Sequence, residues 1–188
     1  MPIEHRPLEI DGVALITPPQ FADDRGFFSE TYNVRSLLEH GINAVFVQDN
    51  HSYSSHVGTI RGLHYQMPPR AQTKLIWVAR GSIFDVAVDL RRSSGSFGRH
   101  IAVELSRKNW RQLLIPAGFA HGFCTLEPDT EVVYKVSDYY AAQCEAGIAW
   151  NDPALGIAWP AFAGAQVSSK DAALPLFAHA KIPLVWSE

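Results

Sequence analysis

Ile83-Phe84-Asp85-Val86-Ala87-Val88-Asp89-Leu90 is a short run of β-branched and apolar residues, followed by the turn-forming stretch Arg91-Arg92-Ser93-Ser94-Gly95-Ser96. A run of this length, closed by Ser and Gly, reads as a strand. Runs of the same kind occupy 13–16, 27–32, 45–49 and 74–79 before it, and 100–105, 111–115, 122–126 and 131–136 after it. Gly, Pro, Ser or Asp separates most of them, and a strand-to-strand spacing of roughly ten residues predicts an all-β sandwich or jelly roll. Helical signals are few. Asn33 opens Val34-Arg35-Ser36-Leu37-Leu38-Glu39-His40 and Gly41 ends it, which predicts one short capped helix. Ser168, with Asp171 three residues on, reads as an N-cap pair ahead of a brief turn closed by Pro175. The stretch 150–160 carries Trp150, Pro153, Trp159 and Pro160, so the C-terminal third is expected to wrap the barrel without adding strands.

Composition sets the outer limits. The 188 residues, 47% hydrophobic and 19% charged, suit a single domain over 1–188 with one well-buried core. A net charge of −3 gives no reason to expect nucleic acid or a membrane surface as partner, so an anionic ligand must be held by a local basic cluster. Two cysteines, Cys124 and Cys144, are too few for a disulfide framework and make a reducing cytoplasm the default. No run approaches the ~18 apolar residues of a membrane span, and the first twelve residues mix acidic and basic groups where a signal peptide needs an apolar stretch.

Two spaced motifs refine the fold. Gly58, five residues and then His64 resemble the opening of the first cupin motif, which continues with a second His, a Glu, six residues and a Gly. Gln66 stands at the place of the second His, and Lys74 takes that of the Glu, six residues ahead of Gly81. Pro116-Ala117-Gly118-Phe119-Ala120-His121 matches the Pro-x-Gly-x-x-His of the second motif. A charged ammonium has no lone pair for a metal, and it repels a cation while attracting an oxyanion. The expectation is a cupin-type double-stranded β-helix with no metal and no cofactor.

Further blocks sharpen the resemblance. They are Asp24-Arg25-Gly26-Phe27-Phe28 with Glu30, Gln48-Asp49-Asn50 with Ser52, Arg61-Gly62-Leu63-His64-Tyr65-Gln66, and the 83–90 run with Arg91. Beyond these lie Ser96-Phe97-Gly98, Arg111-Gln112-Leu113, Ile115 to Phe123, Tyr134-Lys135, Trp150-Asn151-Asp152-Pro153 and Ser168-Ser169-Lys170-Asp171. In this order, over roughly 13–175, the chain resembles the dTDP-4-dehydrorhamnose 3,5-epimerases, metal-free cupins of deoxysugar biosynthesis for cell-surface polysaccharides.

The resemblance implies both a reaction and a residue set. Removing the C-3 or C-5 proton of a 4-keto sugar puts charge on the C-4 oxygen, so the reaction needs a base, an opposing acid and a cation at the enolate oxygen. His64 matches the base, Asp171 the carboxylate that orients it, Lys74 the enolate-stabilising cation and Tyr134 the acid. Arg25, Phe27, Glu30, Gln48, Asp49, Asn50, Arg61, His121, Glu145 and Lys170 match the residues that hold or wall in the nucleotide sugar. Tyr139 or Tyr140 would stack on the thymine base, and Tyr140 stands here among the candidate site residues. The expected reaction is conversion of dTDP-4-dehydro-6-deoxy-D-glucose to dTDP-4-dehydro-L-rhamnose by a homodimer, the alternative being inversion of only one carbon on a related 4-keto sugar.

Overall fold

The computed structural model describes residues 2–161 and 164–186; of the expected domain, Met1, Phe162, Ala163, Ser187 and Glu188 lie outside the described residues. Its strands are β1 (Glu4–Pro7), β2 (Ala14–Thr17), β3 (Phe21–Asp23), β4 (Gly26–Phe28), β5 (Gln48–Ser54), β6 (Thr59–Gln66) and β7 (Lys74–Arg80). They continue with β8 (Ser82–Asp89), β9 (His100–Ser106), β10 (Gln112–Ile115), β11 (Phe119–Thr125), β12 (Thr130–Val136), β13 (Glu145–Gly147) and β14 (Gln166–Val167). One sheet runs β1-β2-β10-β7-β12-β5, and the other runs β13-β6-β11-β8-β9 with β14 joined to β6. From β5 to β12 the chain passes repeatedly from one sheet to the other, which is the path of the expected jelly roll.

The two sheets share a core. Leu15, Ile76, Val78, Leu113 and Val132 of the first sheet pack with Ile83, Ala87, Ile101, Leu105, Phe119 and Phe123 of the second. The outer face of the second sheet is also covered. There Leu63, Tyr65, Val86, Val88 and Ala120 meet Ile148, Leu155, Trp159, Phe177, Ile182 and Trp186 of the C-terminal segment. Burial on both faces explains why β8 reads as a nearly continuous apolar run rather than an alternating one. Alternation still governs β6: Leu63 and Tyr65 face the outer layer, so His64 and Gln66 face the space between the sheets.

Both helix signals are present. In α1 (Val34–Glu39) the Asn33 side chain accepts hydrogen bonds from the Arg35 and Ser36 amides, and Gly41 follows with φ of 77°. In α2 (Ser169–Ala172) Ser168 Oγ accepts from the Asp171 amide at 3.0 Å. No helix among the described residues is long and apolar enough to cross a membrane.

Four strand expectations need correction. The run 27–32 is not one strand: Phe27 and Phe28 close the exposed hairpin β3–β4, whose turn is held by Asp23 accepting the Arg25 amide at 2.8 Å. The run 45–49 starts too early, because β5 begins at Gln48 and continues to Ser54. Its inward residues Gln48, Asn50 and Ser52 line a polar cavity, so apolar weight is the wrong guide to its extent. β1 was absent from the expected runs; it is polar and exposed, at the sheet edge. The C-terminal third wraps the second sheet as expected, yet it also adds β13 and β14, which pair with different parts of β6 and protect its edge.

Leu63 has no exposed surface and lies between β6 and the C-terminal segment. Leu63→Ala should lower unfolding free energy by about 3 kcal/mol, since the cavity cannot close between two packed layers. Urea denaturation followed by tryptophan fluorescence measures this; a loss below ~1 kcal/mol would mean that the C-terminal segment is not packed there.

Candidate active site

Between the sheets lies a cavity of about 650 Å³. Gln48, Asn50 and Ser52 of β5, Arg61, His64 and Gln66 of β6, and Lys74 of β7 form one part of its wall. His121 and Phe123 of β11, Tyr134 of β12, Tyr140, Glu145 and the segment carrying Gln166, Ser168 and Asp171 form the rest. On β7, β11 and β12 the cavity residues Lys74, His121 and Tyr134 share the inward face with the core residues Ile76, Phe119 and Val132, so the cavity continues the space of the core.

His64 and Asp171, 107 residues apart, are joined by a 2.8 Å hydrogen bond from His64 Nε2 to Asp171 Oδ1. The second oxygen, Oδ2, accepts the Gly62 amide at 3.0 Å, so one carboxylate fixes both the ring and the strand beneath it. A carboxylate only accepts, so Nε2 carries the proton and Nδ1 keeps a lone pair. Burial holds His64 below the ordinary imidazole pKa against the opposite pull of Asp171, with Lys74 adding to the lowering. The imidazole is therefore neutral at pH 7, as a base must be. Gly62 is needed at its place: its φ is 109°, and a Cβ there would lie 2.6 Å from the His121 carbonyl oxygen.

Lys74 is only 8% exposed, and its Nζ donates a long 3.4 Å bond to the His64 carbonyl. Burial lowers its pKa to about 8, with Asp85 and Glu145 pulling the other way. Tyr134 is half-buried, and burial raises its phenol above the usual value although Arg61 opposes this, so the hydroxyl keeps its proton at neutral pH. Arg61 is itself tethered, donating to Ser54 Oγ at 3.2 Å and to the Tyr53 carbonyl at 2.9 Å. At the mouth, Glu145 accepts from Tyr140 at 2.9 Å and from Lys170 at 2.7 Å. Tyr140 lines the cavity and is the better placed of the two tyrosines left open by the sequence.

Of the expected site residues, His64, Asp171, Lys74, Tyr134, Gln48, Asn50, Arg61, His121, Tyr140 and Glu145 meet at this one cavity, and Lys170 stands at its rim. Asp49 does not line it. It alternates with Gln48 and Asn50, faces outward and pairs with Lys135 at 2.8 Å. Arg25, Phe27 and Glu30 also lie off the wall: the first two sit on the exposed hairpin, where Phe27 packs edge-on against Trp110 with ring centroids 5.0 Å apart. Sequence reasoning missed Asp85, whose two oxygens accept from His121 Nε2 at 3.1 and 3.0 Å. The signal was available, because a charged residue within an otherwise apolar strand demands a buried partner.

Nothing in this wall resembles a metal cradle. Gln66 spends its amide on Arg70, Tyr139 and Ala141, each histidine gives one nitrogen to a carboxylate, and an ammonium stands at the remaining ligand place. Among the described residues, no group of three or more His, Cys, Asp or Glu side chains is arranged to hold an ion.

Known proteins share this frame. The family model for dTDP-4-dehydrorhamnose 3,5-epimerase matches residues 7–179. The Salmonella typhimurium protein of that name is 48% identical over 172 residues, 91% of this chain and 93% of its own length. A Bacillus anthracis dTDP-4-dehydrorhamnose 3,5-epimerase solved with TDP and PPi bound superposes with a TM-score of 0.90 at 50% identity, covering 93% of this chain and 99% of that one. A Legionella pneumophila dTDP-6-deoxy-D-glucose-3,5-epimerase in complex with dTDP-4-keto-L-rhamnose gives 0.89 at 44% identity, covering 93% and 92%. The chain, a β-rich jelly roll of cupin type with a polar cavity between its sheets, belongs to the dTDP-4-dehydrorhamnose 3,5-epimerase family.

Proposed function

We propose that this protein is an isomerase that converts dTDP-4-dehydro-6-deoxy-D-glucose to dTDP-4-dehydro-L-rhamnose by inverting C-3 and C-5. The observation that carries the reading is the His64–Asp171 couple sharing a cavity with Lys74 and Tyr134. His64 Nδ1 takes the proton from the carbon beside the ketone, and the Nε2–H bond to Asp171 stabilises the imidazolium that forms. Charge moves to the C-4 oxygen, where the buried Lys74 ammonium offsets it. Tyr134 returns a proton to the opposite face; His64 then releases its proton to solvent and the Tyr134 phenolate takes one up, and repetition at the second carbon completes the double inversion. Positioned acid–base groups of this kind are each worth roughly 10²- to 10⁴-fold in rate. Arg61, His121 and the Glu145–Tyr140–Lys170 cluster hold the nucleotide diphosphate end. Inversion of a single carbon uses the same groups, but relatives 48% and 50% identical carry the 3,5-epimerase name and favour the double reaction.

The working form is a homodimer of single-domain chains in the cytoplasm. Free, buried Cys124 and Cys144 suit a reducing compartment. The exposed hairpin with Phe21, Phe27 and Phe28 offers apolar area for a second copy. Its Arg25 and Phe27, with the following Glu30, have substrate-binding roles in the family resemblance yet no place on the cavity wall of their own chain. In a dimer they reach the partner's cavity.

Incubation in deuterium oxide with the thymidine-linked 4-keto sugar should place deuterium at both C-3 and C-5, and His64→Ala should abolish uptake at both. Label at one carbon alone would point to the single inversion, and none at either would remove the enzyme reading.

Mixing bears on the dimer. Co-expressed His64→Ala and Arg25→Ala chains should regain activity that neither has alone, because one of the two shared sites then holds both native residues. No recovery in a confirmed mixed dimer would confine each site to one chain.

A further inference from the structure

His64 on β6 and His121 on β11 are cross-strand partners, and each gives its Nε2 to a carboxylate. The carboxylates come from different parts of the fold. Asp171 arrives from α2 and lines the cavity, whereas Asp85 belongs to β8, has no exposed surface and lies behind the wall. A charge buried so completely is costly unless other groups draw on it. Asp85 meets two such groups: it accepts from His121 through both oxygens, at 3.1 and 3.0 Å, and, on the inward face of β8 with Ile83 and Ala87, it points into the same inter-sheet space as Lys74, which shares the inward face of β7 with Ile76 and Val78.

We propose that Asp85 is a positioning residue for the reaction, turning His121 Nδ1 toward the cavity and supplying the counter-charge that keeps Lys74 an ammonium in a dry wall. With Nε2–H fixed on Asp85, Nδ1 is the ring nitrogen that His121 offers to the substrate, accepting from a sugar hydroxyl. For Lys74 the effect is direct. The charged or titratable groups that share its cavity are Asp85 behind the wall, Glu145 from β13, Arg61, His64 and Tyr65 from β6, His121 from β11, Tyr134 from β12, Asp171 from α2, and Tyr140; Ile115, its neighbour on β10, carries no charge. Asp85 and Glu145 favour the ammonium against burial. Glu145 is shared with Tyr140 and Lys170 at the mouth, whereas Asp85 has no exposed surface and stands on the interior side of the cavity.

The inference rests on Lys74 being the cation of the enolate step, and the pH profile of kcat/KM separates the two. Burial places the Lys74 pKa near 8, so wild-type activity should fall as pH rises through that value and the ammonium is lost. Asp85→Asn keeps the shape and removes the charge; the alkaline limb should move down by roughly one pH unit, as expected for loss of a nearby opposite charge. Asp85→Glu should leave the limb in place while lowering kcat, because the charge remains and the histidine shifts. A purely structural role would reduce activity at every pH and move no limb. Wild-type activity that persists well above pH 8 contradicts the role of Lys74. A wild-type limb that Asp85→Asn leaves unmoved overturns the inference about Asp85 alone. Should Asp85→Asn not fold, Asp85→Glu decides: unchanged kcat, or a displaced limb, is the contrary result.

Discussion

The carboxylate of Asp171 joins the last segment of the chain to the strand that carries the base. Its two oxygens take the His64 ring and the Gly62 amide, so the tautomer, the ring orientation and the local path of β6 share one support. Bonds to a charged acceptor of this kind contribute on the order of 1.5–3 kcal/mol each. They form only because α2, started by Ser168, presents Asp171 at the cavity, and because the apolar layer behind the second sheet anchors the segments on either side of it. Folding of the C-terminal third and assembly of the site are thus one event. Packing around Leu63 and Trp186 is far from chemistry in kind, yet it sets where a proton can be taken.

Electrostatics then divides the labour inside the cavity. The imidazoles of His64 and His121, the Lys74 ammonium, the Arg61 guanidinium and the Tyr134 phenol share the cavity with Asp171 and Glu145, while Asp85 stands behind its wall. Burial pushes each group toward its neutral form: His64 downward, Tyr134 upward and Lys74 to about 8. A neutral base and a neutral acid in one site suit proton removal and return without net charge transfer to solvent. In the proposed reaction the lysine at a metal-ligand place in the cupin frame takes the Lewis-acid task with a fixed point charge, and the same ammonium disfavours a metal ion there.

Much of this was legible in the sequence. Strands 74–79, 83–90, 100–105, 111–115 and 131–136 lie close to β7, β8, β9, β10 and β12 because their apolar side chains make the core. The failures share a cause. β5 is polar on both faces, one toward water and one toward the cavity, so hydrophobicity cannot locate its ends. β13 and β14 are three and two residues long and exist because β6 offers an edge, a property of the assembled sheet rather than of their own residues. Within the site, motif order identified the residues that converge, while strand parity turned Asp49 outward and the hairpin kept Arg25 and Phe27 apart. Asp85 lies within a largely apolar strand run in the sequence, but its partner on β11 is set by the register of the folded sheet.

The proposed chemistry depends on the state of one ring. Nitrogen-15 NMR of the His64 imidazole at pH 7, assigned by comparison with His64→Ala, reads it directly. The expected spectrum has a protonated Nε2 and an unprotonated Nδ1, the tautomer imposed by Asp171 and required of a base. Both nitrogens protonated at pH 7, or the proton on Nδ1, would contradict the mechanism.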